Sequence, residues 1–551
     1  MRYHFVALFG AVLIGGAAAS TASTIVPPSK LITADLLRGH VRFISSDLTE
    51  GRGTASRGDD IAMAYIQAQM ESMGLQPGAP DGSWYQRFDV VGINSHIAPT
   101  VAFSHGGQSL VLNSGAEFIG VAGEQKSDLA ISNAEVVFAG YGIQAPEYRW
   151  DDFKDVDVRG KILLVMNNDP EDDPSLFAGR TRLYYGRWMY KYEQAARMGA
   201  AGAIIIHTEH SAAYPWQVVQ TSWSGENFEL PQEHEPRTQL KGWATEDASR
   251  RIAALGGFDL DQLRAQAEKR EFRPVPLGVT LSLAIHSQVK RQQTANVIGR
   301  LPGHDPQLAR EALFYTAHHD HLGIKQGAAP GEDAIYNGAL DNASGCATLL
   351  AIARAMASGP KLKRTVYFAS VGAEEQGLLG SRYLAEHPPL PAGRIAADIN
   401  MDGISIWGRT HDVTVIGLGK STLDDDIRAV AAAQKRTVVG DPFPDKGSYY
   451  RSDQFSFAHI GVPGAYLGGG IEVLGRPAGW GAAQKEAFVK NDYHQPSDEL
   501  RDSWDFSGAV EDAQLLYQLG ARVADAPQLP AWTPGDEFEG ARKRAIGQAQ
   551  P

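Results

Sequence analysis

Apolar positions change their period along this chain of 551 residues. Ile32 to Leu48 and Ile61 to Met73 space them at helical intervals, and Gly74-Leu75-Gln76-Pro77-Gly78 closes the second helix with a glycine cap followed by proline. Val90 to Phe103 then reads as extended. From Leu129 short β runs take over at Ala134 to Ala139, Gly160 to Met166 and Ala203 to Ile206. Helical patterns interrupt them at Tyr185 to Met198 and at Thr245 to Leu255, and Leu277 to His286 and Thr294 to Leu301 predict two further strands. Beyond these, the runs Ala312 to Thr316, Thr365 to Ser370 and Ile395 to Ile399 lack alternation and are separated by helices such as Ala343 to Met356. Unbroken apolar runs suit strands buried on both faces, so this half predicts βαβ units. The fold class is therefore α/β, a mixed, mostly parallel central sheet flanked by helices, with a β-rich insertion ahead of it.

Polar clusters follow all three buried runs. The first leads into His318 and Asp320, the second into Glu374 and Glu375, and the third into Asp402. Asp341 stands in GALDNASG ahead of a helix, and His494 in NDYHQPSDEL would arrive from a later loop. Ligands of open α/β sheets bind at the carboxyl ends of the strands. The clusters thus converge on one end.

These residue types suit a hydrolytic site for two metal ions, which needs neutral imidazole, carboxylates and one carboxylate able to bridge the ions. His318, Asp341 and Asp402 are assigned to one ion, and Asp341, Glu375 and His494 to the other, with Asp341 bridging. Asp320, two residues beyond His318, faces the same side of an extended chain and is expected to accept the imidazole's second N–H. His319 and His321 are expected to face away. Glu374 and Glu375 are adjacent and cannot both aim at one ion, so Glu375 is read as a ligand and Glu374 as the general base.

Composition narrows the partners. A net charge of −13 disfavours nucleic acid and anionic membrane surfaces, and a mean hydropathy of −0.25 fits a globular protein. Residues 1–23 read as a secretory signal, with Arg2, the apolar run Phe5 to Gly16 and the small Ala17-Ala18-Ala19. No later run approaches the roughly 20 apolar residues that span a bilayer. Cys346 is the sole cysteine, so an exported protein must stand without an internal disulfide. This predicts a periplasmic or secreted bacterial protein with no stable membrane insertion. The acidic stretch Asn167 to Asp173 hints at a calcium site but lacks EF-hand spacing and reads as a solvated loop, and Gly468 to Lys490, with Trp480 and Phe488, as a loop beside the substrate pocket or a plain surface loop.

AHHDHLG, GALDNASG, ASVGAEEQGLLGS, DINMDG and YHQPSDEL, in that order, resemble the metal and catalytic motifs of metallopeptidase family 28, the co-catalytic zinc exopeptidases. The resemblance implies two Zn2+ ions per chain, a peptide substrate, a cis bond between Asp341 and Asn342, and Tyr493 as a donor to the tetrahedral oxyanion, with Tyr449 and Tyr450 as competitors. GKILLVM and AARMGAAGAIII resemble a protease-associated domain. The implied organisation is a signal at 1–23, an N-terminal peptidase part at 24–128, the insert at 129–276, the di-zinc peptidase domain at 277–525 and a tail at 526–551, read as an edge or disordered segment. One departure is Gln454 in RSDQFSF, where many relatives carry histidine; it is expected at the pocket wall. The implied activity is that of an aminopeptidase. A glutamate carboxypeptidase-like enzyme, with Arg451 or Lys490 holding a terminal carboxylate, is the first alternative, followed by a glutaminyl cyclase and a non-catalytic ectodomain.

Overall fold

The structure, a computed structural model, describes residues 27–171, 173, 176–232 and 235–549. The expected signal at 1–23 lies outside them. The chain begins with helices α1 (Ala34–Ile44) and α2 (Arg57–Ser72), capped by Thr33 and Ser56, whose side chains accept the Leu36 and Asp59 N–H groups. Such caps satisfy donors that a helix start leaves open.

The middle of the chain forms β1 (Tyr85–His96), β2 (Phe118–Ala122), β3 (Asp128–Phe138), β4 (Ile162–Met166), α3 (Trp188–Arg197), β5 (Gly202–His207), α4 (Trp216–Ser222), β6 (Leu240–Thr245) and α5 (Glu246–Leu255). Strands β3, β4, β5 and β6 pair in parallel in that order, and β2 closes on β6 antiparallel. Their inward residues, among them Phe138, Leu164 and Ile204, form a core of their own. That core also takes in Val101, Phe103 and Leu112, upstream of the expected boundary at residue 129.

One strand joins this unit to the rest. β7 (Val275–Leu301) runs for 27 residues and pairs antiparallel with β3, then β1, then the central sheet. The sequence predicts two strands here because Ser287 to Gln293 is polar. Pairing with β1 along that whole stretch, with Val289 opposite Ile93 and Gln292 opposite Val90, supplies hydrogen bonds that no apolar pattern announces.

The central sheet holds β8 (Ala312–His318), β9 (Thr365–Val371), β10 (Ile395–Asn400), β11 (Asp412–Ile416), β12 (Thr437–Gly440) and β13 (Gly464–Leu467). β9, β8, β10 and β13 lie in parallel in that order, and β11 joins β13 antiparallel. Every residue of β8, β9 and β10 is buried, as the unbroken runs require. Helix α6 (Ser344–Ala357) covers one face, packed in a shared core with α1, α2 and α8 (Ser507–Asp525).

Two expectations about the last part of the chain change. Trp480–Asn491 is a helix, α7, whose Trp480 and Phe488 line a separate cavity rather than the one beside the strand ends. The tail forms α9 (Glu539–Ala549), and buried Arg542 donates to the Ile395 carbonyl at 2.8 Å while Trp532 and Phe538 fill a further core. Its anchors are too widely spaced to register as a period.

Candidate metal and catalytic site

His318 is the last residue of β8, while Glu374 and Asp402 follow the ends of β9 and β10 by three and two residues. These short extensions turn side chains from adjacent strands toward one point. Asp341 precedes α6 and is joined to Asn342 by a cis peptide bond. Gly345 is required behind it, because a Cβ there would lie 2.2 Å from Asn342 Oδ1 and 2.4 Å from the Met401 carbonyl. His494 arrives from the loop after α7 with φ of 57°, a left-handed backbone uncommon outside glycine.

The two oxygens of Asp341 face different histidines. Oδ1 lies 3.3 Å from His318 Nε2, and Oδ2 lies 3.3 Å from His494 Nε2. Asp402 Oδ1 stands 3.5 Å from His318 Nε2, and Glu375 Oε2 stands 3.1 Å from His494 Nε2. Two compartments therefore share one carboxylate. His494 Nε2 is buried and, among the described residues, has no hydrogen-bond partner although two carboxylate oxygens are near it. An imidazole nitrogen aimed between two carboxylates is the donor set of a cation site, so these residues fit zinc. Glu374 Oε2, 3.9 Å from His318 Nε2, lies next to the first compartment and lines the cavity above it.

The electrostatics agree with that geometry. Burial raises the Glu374 carboxyl well above its ordinary range; His318 opposes this, and Asp453, Glu375 and Asp402 reinforce it. Burial would lower the His318 imidazole, but Glu374, Asp341 and Asp402 outweigh it and hold the group well above its usual value. Glu375 moves the other way, to about 2, because His494 and His321 overcome its burial.

Asp320 does something other than expected. Its carboxylate is 3.8 Å from His318 Nδ1, beyond hydrogen-bond range, while the Asp320 carbonyl is nearer at 3.3 Å. The carboxylate instead accepts the backbone N–H groups of Glu374 at 2.9 Å and Glu375 at 3.2 Å. The chain leaves the strand at His318, so the alternation argument ends one residue too early. The same bend brings His321 inward. Its Nδ1 meets Glu375 Oε1 at 2.6 Å, and His321, Asp341 and Glu375 together form a second possible ligand group. His319 lies behind the site, with Nε2 3.2 Å from Asp59 Oδ1.

Several supporting residues escape a sequence reading. Arg52 is fully buried and donates to the carbonyls of His319, Ile44, Asn337 and Gly338 at 2.6 to 3.0 Å, pinning both approaches to the site. Asp498 accepts the Leu340 and Asp341 N–H groups at 3.0 and 3.1 Å. Ser452 donates to Asp402 Oδ2 at 2.7 Å, and Asn400 donates to both Ser452 and Gln454. Gln454 thus sits beneath Asp402 and not at the cavity wall. Ser222, at the end of α4, lies 2.9 Å from His494 Nδ1. The inserted unit therefore touches a candidate ligand directly.

Above the cluster opens a cavity of about 840 Å³, lined by Glu374, Glu375, Tyr493 and His494 on one side and by Arg187, Trp188, Val218 and Trp223 of the insert on another. Tyr493 lies against His494 with ring centroids 3.9 Å apart and the ring planes tilted by 31°. Of the competing tyrosines, Tyr450 donates to Glu537 at 2.6 Å and Tyr449 is buried away from the cavity. Lys490 is exposed and lies outside the cavity lining.

The chain resembles known proteins in sequence and in fold. The chain is 29% identical over 202 residues to the probable lipoprotein aminopeptidase LpqL of Mycobacterium tuberculosis, covering 34% of this chain and 39% of that protein. It is 28% identical over 375 residues to aminopeptidase YwaD of Bacillus subtilis, covering 65% of this chain and 62% of the relative. The matched stretches thus span less than two thirds of either relative. Among solved structures, the aminopeptidase from Aneurinibacillus sp. strain AM-1 has the same fold, with a TM-score of 0.50 and 20% identity over 91% of this chain and 97% of that one. Residues 296–518, which run from the end of β7 through β8, β9 and β10 into α8, match the model of peptidase family M28, and this part of the chain belongs to that family.

Proposed function

We propose that this protein is an exported zinc exopeptidase that removes N-terminal residues from peptides. The observation that carries the reading is Asp341 set between His318 and His494, one oxygen toward each. His318, Asp341 and Asp402 would hold one zinc ion, and Asp341, Glu375 and His494 the other. When bound, the ions supply Lewis acidity toward the scissile carbonyl and make a water acidic enough to react near neutral pH.

The chain's own groups do the rest. Glu374 takes a proton from the attacking water and passes it to the leaving amine. Burial among acids raises its proton affinity, which suits a carboxylate that must accept that proton and hold it between the two transfers. Tyr493, whose phenol burial keeps protonated, donates to the oxyanion from its place beside His494. Asp320 fixes the backbone of Glu374 and Glu375, and His321 orients the Glu375 carboxylate. The aromatic and apolar wall from α3 and α4 excludes water from the reacting centre and favours an apolar residue at the cleaved position.

The test is a panel of free-amino dipeptides and aminoacyl anilides beside their N-acetylated and C-amidated forms, with chelation and zinc return. Zinc-restored turnover that needs the free amine establishes the aminopeptidase. Turnover that tolerates acetylation and requires the carboxylate would replace it with a carboxypeptidase.

A further inference from the structure

The two compartments that share Asp341 are not held alike. In the first, the central unit supplies the outer contacts: His318 Nδ1 faces the Asp320 carbonyl at 3.3 Å, and Ser452 donates to Asp402 Oδ2 at 2.7 Å. In the second, His321 of the central unit meets Glu375, but the insert reaches both end ligands. Ser222, the last residue of α4, sets its Oγ 2.9 Å from His494 Nδ1. Gln217 of the same helix donates from Nε2 to Gln495 Oε1 at 2.8 Å, one residue past His494. Val489 and Tyr493, which lead into His494, pack against the insert core that contains Val218 and Val219. On the other side, the insert strand Glu226–Glu229 donates the Phe228 N–H to Gln376 Oε1 at 2.9 Å, and Gln376 directly follows Glu375.

A histidine that takes a metal through Nε2 carries its proton on Nδ1, and the group that receives this proton fixes both the tautomer and the direction of the ring. A seryl hydroxyl can accept it. For His494 that hydroxyl belongs to a unit with a core of its own. The ring has little else to hold its direction, since its Nε2 faces only Asp341 and Glu375, at 3.3 and 3.1 Å. Its backbone, at φ of 57°, is in a region that persists where the surroundings impose it. Loss of the insert contacts therefore lets the ring leave, and the second compartment is reduced to two carboxylates.

Resting on the two-zinc reading of the cluster, we propose that the insert is a clasp on the second compartment. Ser222 fixes the His494 ring, while Gln217 and the Phe228 N–H hold the segments that follow His494 and Glu375. The ion between Asp341, Glu375 and His494 is bound tightly only while the insert is docked. The ion between His318, Asp341 and Asp402 does not depend on it. Ser222 and Gln376 are thus positioning residues for one zinc ion and not for the other.

The experiment titrates the metal-free full chain with zinc against a fluorescent chelator and reads a Kd for each equivalent bound. His494→Ala, which loses a ligand of the second compartment, shows which Kd belongs to the first. Ser222→Ala is expected to weaken one equivalent by about 10- to 100-fold and to leave the other at the Kd that His494→Ala retains. Ser222→Thr, which keeps the hydroxyl, should restore most of the loss. Gln376→Ala and Gln217→Ala, each removing one neutral hydrogen bond, should weaken the same equivalent by about 2- to 10-fold. If Ser222→Ala leaves both Kd values native, weakens both alike, or loses affinity that Ser222→Thr does not recover, the clasp is overturned. A native chain that binds fewer than two equivalents instead overturns the two-zinc reading, and the clasp with it.

Discussion

The floor and the wall of the cavity are built from opposite charges and by different parts of the chain. At the carboxyl ends of β8, β9 and β10, His318, Asp402, Glu374 and Glu375 meet Asp341 and His494. The facing wall, from α3 and α4, presents aromatic rings and the buried Arg187, whose Nε has no hydrogen-bond partner among the described residues. Four acids within reach of two imidazoles repel one another unless cations sit between them. The floor is thus incomplete without cations, whereas the wall is held by its own packing, with Trp188 edge-on to Trp223 at 5.2 Å between ring centroids.

The largest effect expected from breaking the floor is metal removal. Chelation should abolish turnover, zinc should restore it, and the melting temperature should fall because ligand binding adds stability, about 4 kcal/mol at a thousandfold excess over Kd. Full activity in demonstrably metal-free protein would sink the metal assignment. Next comes Glu374→Gln, expected to lower kcat by about 10²- to 10⁴-fold with both metal equivalents retained by elemental analysis. A variant that turns over normally removes Glu374 from the proton transfers.

Two substitutions test whether the wall acts on the floor. Ser222→Ala removes the contact with His494 Nδ1, and loss of such an outer partner is expected to weaken metal affinity by about 10- to 100-fold. Competition with a fluorescent zinc chelator reads this directly, and an unchanged affinity would confine the insert to substrate contacts. The smallest effect is expected from Trp223→Ala, which opens the apolar wall and should raise KM for leucyl over alanyl substrates by about 10-fold, in line with about 1–3 kcal/mol per methylene-scale contact. Equal changes for both substrates would move the side-chain pocket elsewhere.

Much of the floor could be read without coordinates because it rests on local rules. Unbroken apolar runs are buried strands, and whatever follows them stands at the ligand-binding end of the sheet. His318, Glu374, Glu375 and Asp402 follow from that placement alone, and the order of motifs around Asp341 and His494 supplies the rest. The misreadings lie where the chain leaves regular structure. Asp320 and His321 follow strand alternation only on paper, since β8 ends at His318.

The sequence by itself determined which residue types gather at the strand ends, because period and motif order are written along the chain. Only the tertiary structure decided what surrounds them. Arg52 is separated from the carbonyl of His319 by 267 positions, and Ser222 from His494 by 272. The polar middle of β7 becomes strand only when β1 lies beside it. Arg187 and Arg451 come from different units and share one cavity. Such pairings depend on long-range packing, which leaves no periodic trace in either partner's sequence, so no local reading brings them together.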